Sequence, residues 1–122
     1  MGDRSFELEG LRVLECSSDR PPPRTAKDAT DIISAAWEHR AKLVVLPADW
    51  LGDDFFRLST RIAGEVVQKL QDYGLRVAIV GDISKYVAGS TALRDWVSEC
   101  NRGRRILFVA SLEDLGERLT PA

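Results

Sequence analysis

Histidine and cysteine are scarce in this chain of 122 residues. It has one histidine, His39, and two cysteines, Cys16 and Cys100, which lie far apart and form no CxxC pair. A structural zinc site needs about four such ligands at close spacing, and a catalytic triad needs a histidine beside a nucleophile motif. We therefore predict no metal, no catalytic triad and two free thiols in a reducing compartment.

Long apolar runs, an excess of one charge and glycine-rich nucleotide motifs are also missing. No run approaches the roughly 20 residues that span a bilayer, and no apolar signal core follows the amino terminus. Seventeen basic and nineteen acidic residues leave a formal net charge of −2, with no basic stripe. We expect a cytoplasmic protein without a cofactor that binds neither nucleic acid nor membranes.

The segment 41–82 carries most of the information about the fold. It reads as an apolar strand, a loop, a helix of about four turns that begins at Asp53 or Asp54, and a second apolar strand. Such a crossover joins parallel strands and packs its helix on one face of the sheet. Alternation in 5–15 predicts a hairpin before it, and Thr25, Ser90 and Ser111 are predicted to cap further helices.

The predicted order of elements is β-β-α-β-α-β-α-β-α. It indicates one α/β domain over 1–122, with a mixed sheet of about five strands. The helices are expected mainly on one face, which leaves the other face partly open to a partner.

The sequence predicts an environment for each of the three tryptophans and for Gly64. Trp37 and Trp96 fall on the inward stripes of their helices and are predicted to lie in the core. Trp50 falls in a loop and is predicted to be an exposed anchor. Gly64 costs up to about 1 kcal/mol relative to alanine inside a helix. We expect close packing of that helix on the sheet to account for it.

Three blocks of sequence resemble a known family. They are FFRLSTRIAGEVVQKL, LRVAIVGDIS and ALRDWVSECNRGRRILFV, which span roughly 55–109. They are similar to the bacterial domain-of-unknown-function family numbered 4180, and the likeness implies a small cytoplasmic domain with no established activity. The order of elements also resembles the STAS domain. That resemblance implies a phosphorylatable hydroxyl near a helix start, where Ser59 and Thr60 are nearest, although an Asp-Ser-Ser-Gly-like signature is absent.

One hypothesis for the function is a non-enzymatic, regulatory protein-binding module. It docks a protein partner, or a second copy of itself as a homo-oligomer, through the loop edge and the central helix. The residues predicted to make the contact are Trp50, Phe55, Phe56, Arg57 and Arg61. This hypothesis depends on the resemblance of the order of elements to the STAS domain and on the absence of a catalytic signature.

A second hypothesis is a small-molecule-binding protein or enzyme. Ligands of open parallel sheets favour the crevice beyond the carboxyl ends of the strands. Asp54, Asp82 and Ser84 are the predicted polar groups there, with Glu65 as a general acid or base. The structural alternative makes the aspartates helix caps and Glu65 part of a solvated helix face. Convergence of these carboxylates on one cavity distinguishes the two interpretations.

Overall fold

The computed structural model describes residues 3–120, so both ends of the predicted domain 1–122 lie outside the described residues. The strands are β1 (Arg4–Leu8), β2 (Leu11–Glu15), β3 (Leu43–Pro47), β4 (Arg76–Val80) and β5 (Ile106–Val109). The helices are α1 (Ala26–Glu38), α2 (Ala48–Phe56), α3 (Ile62–Asp72), α4 (Ser84–Ala88), α5 (Thr91–Arg102) and α6 (Leu112–Leu119). The five strands form one mixed sheet, which confirms the predicted α/β class.

The strands lie in the sheet in their chain order. β1 and β2 form the predicted antiparallel hairpin, which turns through Glu9 and Gly10 at positive φ of 50° and 80°. β2 to β5 are parallel to one another. Right-handed crossovers that all step in the same direction place their helices on the same face. The helices between β2 and β5 therefore form one layer.

The larger part of the core lies between this helical layer and the sheet. Alternate strand residues such as Leu14, Val44 and Ile79 point into it. α3 contributes the stripe that the helical spacing predicts, composed of Ile62, Ala63, Val66, Val67 and Leu70. Because all five are nearly inaccessible to solvent, the opposite side of α3 is the one that faces outward.

The second face of the sheet is covered in part by one short helix, α6. Val13, Leu43 and Ala78 are fully buried there and form a second cluster with Leu115 of α6. α6 follows β5 onto this face and reaches the hairpin, where a β-carbon on Gly116 would lie 3.5 Å from Leu8 Cδ1. Phe6, Leu8 and Leu11 of the hairpin are only partly buried, in line with the expectation of a partly open face.

The long central helix of the sequence interpretation is broken. α2 starts directly after β3 and is interrupted at Gly52, which has a φ of 78°. A single 3₁₀ turn, Leu58–Thr60, and the left-handed residue Arg61 separate α2 from α3. Periodicity missed the break because Phe55, Leu58 and Ile62 keep helical spacing across it. It also missed the short helix α4.

The three predicted hydroxyl caps are confirmed. The hydroxyls of Thr25, Ser90 and Ser111 accept hydrogen bonds from the backbone N–H three residues on, at 3.1–3.2 Å. Asp53 and Asp54 cap no helix, because α2 has already begun at Ala48.

The tryptophans show where the predicted environments were wrong. Trp37 is 62% exposed, because the buried line of α1 runs through Ala29, Ile32, Ile33 and Ala36 and leaves the indole on the side where Tyr73 meets it. Trp50 is 8% exposed and lies in α2, not in a loop. Trp96 packs against the core with its ring edge-on to Phe108, but it is only partly buried, so the predicted core position is confirmed in part.

Candidate functional site

The junction between α2 and α3 is built around Thr60. Its hydroxyl lies 2.8 Å from the carbonyl oxygens of both Asp54 and Arg57, and it accepts a hydrogen bond from the backbone N–H of Ile62. The next residue, Arg61, has a φ of 64°. A non-glycine residue in this region costs about 1 kcal/mol or more and persists where its surroundings enforce it. The junction thus holds the first turn of α3 in a strained, defined position.

An apolar groove runs along the outward side of this turn. It has a volume of about 450 Å³ and is lined by Leu58, Arg61, Gly64, Glu65 and Trp96. Leu58 and Trp96 are partly buried against the core, so their accessible surfaces form a fixed wall. The groove is open to solvent along its length. An open surface of this kind suits a macromolecule better than a small ligand, which needs most of its own surface enclosed.

A second hollow continues the groove toward α1. Its lining comprises Ala26, Gly64, Glu65, Gln68, Lys69 and Asp72, and its volume is about 440 Å³. Gly64 and Glu65 belong to both hollows. We call the surface formed by these two adjoining hollows, on the outer side of α3, the α3 face.

Gly64 lies at the centre of the α3 face. A β-carbon built there meets no atom within 4 Å, so the expectation that the glycine allows close packing on the sheet was wrong. Gly64 lies on the side of α3 that faces away from the sheet, because the buried stripe occupies the opposite side of the helix. The glycine still costs about 1 kcal/mol of helix stability. No contact within residues 3–120 accounts for that cost.

The charged side chains of the α3 face do not pair with one another. Arg61 and Glu65 are exposed, and no ion pair joins them in the described part of the chain. Arg61 precedes α3 with a left-handed backbone, so the i,i+4 geometry of a regular helix does not apply to it. Lys69 lies over the ring of Tyr73 at 5.2 Å.

An exposed aromatic pair lies at the carboxyl end of the same helix. The rings of Trp37 and Tyr73 are 5.8 Å apart, and Tyr73 is 46% exposed. Sequence reasoning missed this pair because Trp37 continues the apolar spacing of α1. The Tyr73-Gly74 helix end was a visible signal, since an aromatic residue at a helix terminus often lies beyond the edge of the sheet.

Three aromatic residues of the docking hypothesis are buried and unavailable to a partner. Phe55 and Phe56 are in the core, and Phe56 stacks on Tyr86 at 4.4 Å. The indole N–H of Trp50 donates to the carbonyl oxygen of Arg20 at 2.7 Å. The segment 20–24, which contains three consecutive prolines, thus lies beside Trp50. Of the five residues proposed for contact, Arg57 and Arg61 are exposed.

Asp54 lies in a separate ion cluster. Arg24 binds its carboxylate at 2.8 Å and Arg57 does so at 3.4 Å. The hydrogen bond and charge of Arg24 lower the pKa of Asp54 from its usual value. The cluster ties the proline-rich loop to α2, so Asp54 has a structural partner.

Asp82 and Ser84 lie together at the carboxyl ends of β4 and β5. They line a cleft of about 370 Å³, whose other walls include Ile83, Val97 and Phe108. Asp82 accepts a hydrogen bond from the backbone N–H of Ser84 at 2.9 Å, and bonds from Ser84 lower the pKa of Asp82. Asp54 and Glu65 are not part of this lining. The structure therefore brings together two of the four polar groups in the small-molecule hypothesis.

The two hydroxyls predicted as phosphorylation sites differ in availability. Ser59 is exposed, whereas the Thr60 hydroxyl is held by the carbonyl contacts that shape the junction. Phosphorylation of either residue stays a prediction.

Residues 3–120 contain neither a metal-ligand cluster nor a membrane-spanning helix. No three His, Cys, Asp or Glu side chains in that range are grouped so that they could hold a metal ion. No helix in the same range has the length and apolar character needed to cross a bilayer.

Fold and surface together define a small α/β domain with a partly apolar hollow on the outer face of a helix. Residues 8–119 match the family described as domain of unknown function (DUF4180). The chain belongs to this family, which confirms the resemblance. No curated protein and no solved structure matches the chain. The STAS-like topology therefore stays a prediction.

Proposed function

We propose that this chain is a regulatory protein-binding module that docks its partner on the α3 face. The observation that carries the proposal is Gly64. Gly64 lowers the stability of α3, and a β-carbon at this position would meet no atom within 4 Å. The missing side chain leaves room at the two hollows for another backbone to come close. Evolution tolerates such a cost where a functional contact offsets it.

The chemistry of the α3 face suits a helical segment as the docked element. An amphipathic helix binds in a groove by placing apolar side chains along it at helical spacing. Leu58 and Trp96 supply the apolar wall, and tryptophan is among the residues that dominate binding energy at interfaces. Arg61 and Glu65 at the rim have no ion partner among the described residues, so they are available to orient the docked helix.

A photo-cross-linking residue at Gln68 tests this proposal in the native host. Gln68 lines the second hollow and is exposed. We expect covalent protein adducts from Gln68, and we expect Gly64→Gln to remove them by filling the centre of the face. The same cross-linker at Glu113, on α6 and on the opposite face of the sheet, is the matched control.

The fold of Gly64→Gln is checked by thermal unfolding, where we expect no loss because glutamine is the better helix former. Adducts that persist in Gly64→Gln, or that are the same from Gln68 and Glu113, would overturn the docking proposal. An absence of adducts from Gln68 would do so as well.

We further infer a bacterial cytoplasmic location. Its support is the family resemblance and the two unbridged cysteines, Cys16 and Cys100, since a reducing compartment keeps thiols free. Acid trapping of thiols in cells, followed by intact mass, should show both alkylated. A bridge between them would contradict the location.

A further inference from the structure

The charged residues of the α3 face follow an alternating order. Arg61 and Glu65 line the groove, and Glu65, Lys69 and Asp72 line the second hollow, so all four lie on the outward side of α3. Their signs along the chain are positive, negative, positive and negative. Read from the other end, each sign is reversed, so an antiparallel copy of α3 is complementary to the original.

We infer that the partner docked on the α3 face is a second copy of this chain, with its α3 antiparallel to the first. This inference rests on the proposed function and names its occupant. In an antiparallel pair related by a two-fold axis, residues whose numbers have a constant sum face each other. A sum of 133 places Arg61 opposite Asp72, and a sum of 134 places Glu65 opposite Lys69. A register between the two brings both pairs within about one residue of each other along the helix axes, and each pair occurs twice.

The same register explains Gly64. With the axis level with 66 and 67, Gly64 comes opposite Lys69 and Leu70 of the other copy. A side chain at position 64 would hold the two helices apart there. Without one, the long stem of Lys69 has room to cross the helix and reach Glu65 of the other copy. Packed helix axes lie about 8–10 Å apart, and small residues at the contact allow the lower end of that range.

Four observations meet in this dimer: the exposed glycine, the charges that form no ion pair among residues 3–120, the partly buried Trp96 in the groove wall and the exposed rings of Trp37 and Tyr73 beside it. Within the subunit, Asp72 accepts a hydrogen bond from Gln68 at 2.8 Å and Lys69 lies over the ring of Tyr73. A symmetric interface uses the same surface on both subunits, so one face must carry both the apolar area and both charge signs.

Charge reversal of one pair tests the register. Glu65→Lys places two like-charged contacts in the dimer, and Lys69→Glu does the same with the opposite sign. We expect each single variant to weaken self-association about tenfold or more, since two exposed pairs change from attraction to repulsion. The double variant Glu65→Lys/Lys69→Glu should regain the dimer, and so should an equimolar mixture of the two single variants.

Sedimentation equilibrium over a range of concentrations provides the measurement, and Glu113→Lys on α6 provides the charge-change control. Added salt should weaken the wild-type dimer because its charge pairs are exposed. A wild-type chain that stays monomeric, single variants that associate as the wild type does, or a mixture that fails to recover the dimer would overturn the inference.

The two proposals fail separately. If the wild type is monomeric but Gly64→Gln still removes adducts to a different protein, only the second copy is wrong and the docking face stands. If the adducts also persist in Gly64→Gln, the docking face is wrong as well.

Discussion

The carboxyl edge of the sheet and the α3 face each contain a glycine, Gly81 and Gly64, and the two glycines have opposite surroundings. At the carboxyl edge of the sheet, a β-carbon on Gly81 would lie 2.9 Å from Ala48 Cβ, and its φ of 142° disfavours other residues. On the α3 face, a β-carbon on Gly64 would meet nothing. One glycine is therefore required by internal contacts, whereas the other has no internal reason.

The tryptophans of the two regions repeat this contrast. Trp50 at the carboxyl edge is enclosed by the chain and hydrogen-bonded to Arg20, whereas Trp37 beside the α3 face is largely exposed. The part of the carboxyl edge around Trp50 and Ala48 is thus filled by the protein's own residues, and the cleft beside Asp82 and Ser84 lies next to it. The α3 face is left incomplete, which is why we place the docking site there.

The largest expected difference concerns Trp50 and Trp37. Trp50→Ala should lower the free energy of unfolding by about 3–5 kcal/mol, because it empties a buried site and leaves the Arg20 carbonyl without its donor. Trp37→Ala should lower it by less than about 1 kcal/mol. Urea denaturation followed by far-UV circular dichroism measures both, and equal losses would contradict the contrast.

The two cysteines extend the comparison to pH. Burial raises the pKa of Cys16, at the carboxyl end of β2, from 9.0 to about 12, with a smaller contribution from Asp3. The folded state therefore holds this proton more tightly than the unfolded state does. The resulting stability is fully present below pH 9 and is lost as pH rises from about 9 to 12.

The loss assigned to Cys16 is on the order of 4 kcal/mol across that range. Denaturation of the wild type and Cys16→Ala at several alkaline pH values isolates it, and identical pH dependence in both would contradict it. In the native state, the half-buried Cys100 should react with a thiol reagent well before Cys16 does.

Alanine at Gly81 tests whether the carboxyl edge is closed. Gly81→Ala should lower the free energy of unfolding by about 1–3 kcal/mol, because the added methyl meets Ala48 and the backbone is strained. A neutral effect in chemical denaturation would show that Ala48 can move away.

Alanine at Gly64 should have the smallest effect and the opposite sign. Gly64→Ala should raise the free energy of unfolding by up to about 1 kcal/mol, because alanine is the better helix former and the added methyl meets no atom. A destabilised Gly64→Ala protein would mean that the glycine has an internal role, and would weaken the case for the α3 face.

Much of the fold was predictable because it depends on local patterns. The hairpin at Gly10, the apolar strands, the three hydroxyl caps and the buried stripe of α3 all follow from residues close together in the chain. The break between α2 and α3 was not predictable, since Phe55, Leu58 and Ile62 keep helical spacing whether or not one helix runs through all three.

The candidate site was only partly predictable. Arg61 and Glu65 were chosen from the sequence and do lie on the α3 face, whereas Trp50, Phe55 and Phe56 were chosen for docking and are buried. Aromatic residues suit both cores and interfaces. The identity of an aromatic residue therefore does not distinguish an interface anchor from a core residue.

The sequence by itself determined the α/β class, the family and the alternating charges along α3, because each depends on residue identity and spacing alone. Only the tertiary structure decided which glycine is enclosed, which tryptophan is exposed and which face of the sheet is covered. Those properties depend on what the rest of the chain places against a residue. For Gly81 that is Ala48, 33 positions away in sequence, and for Gly64 it is open space.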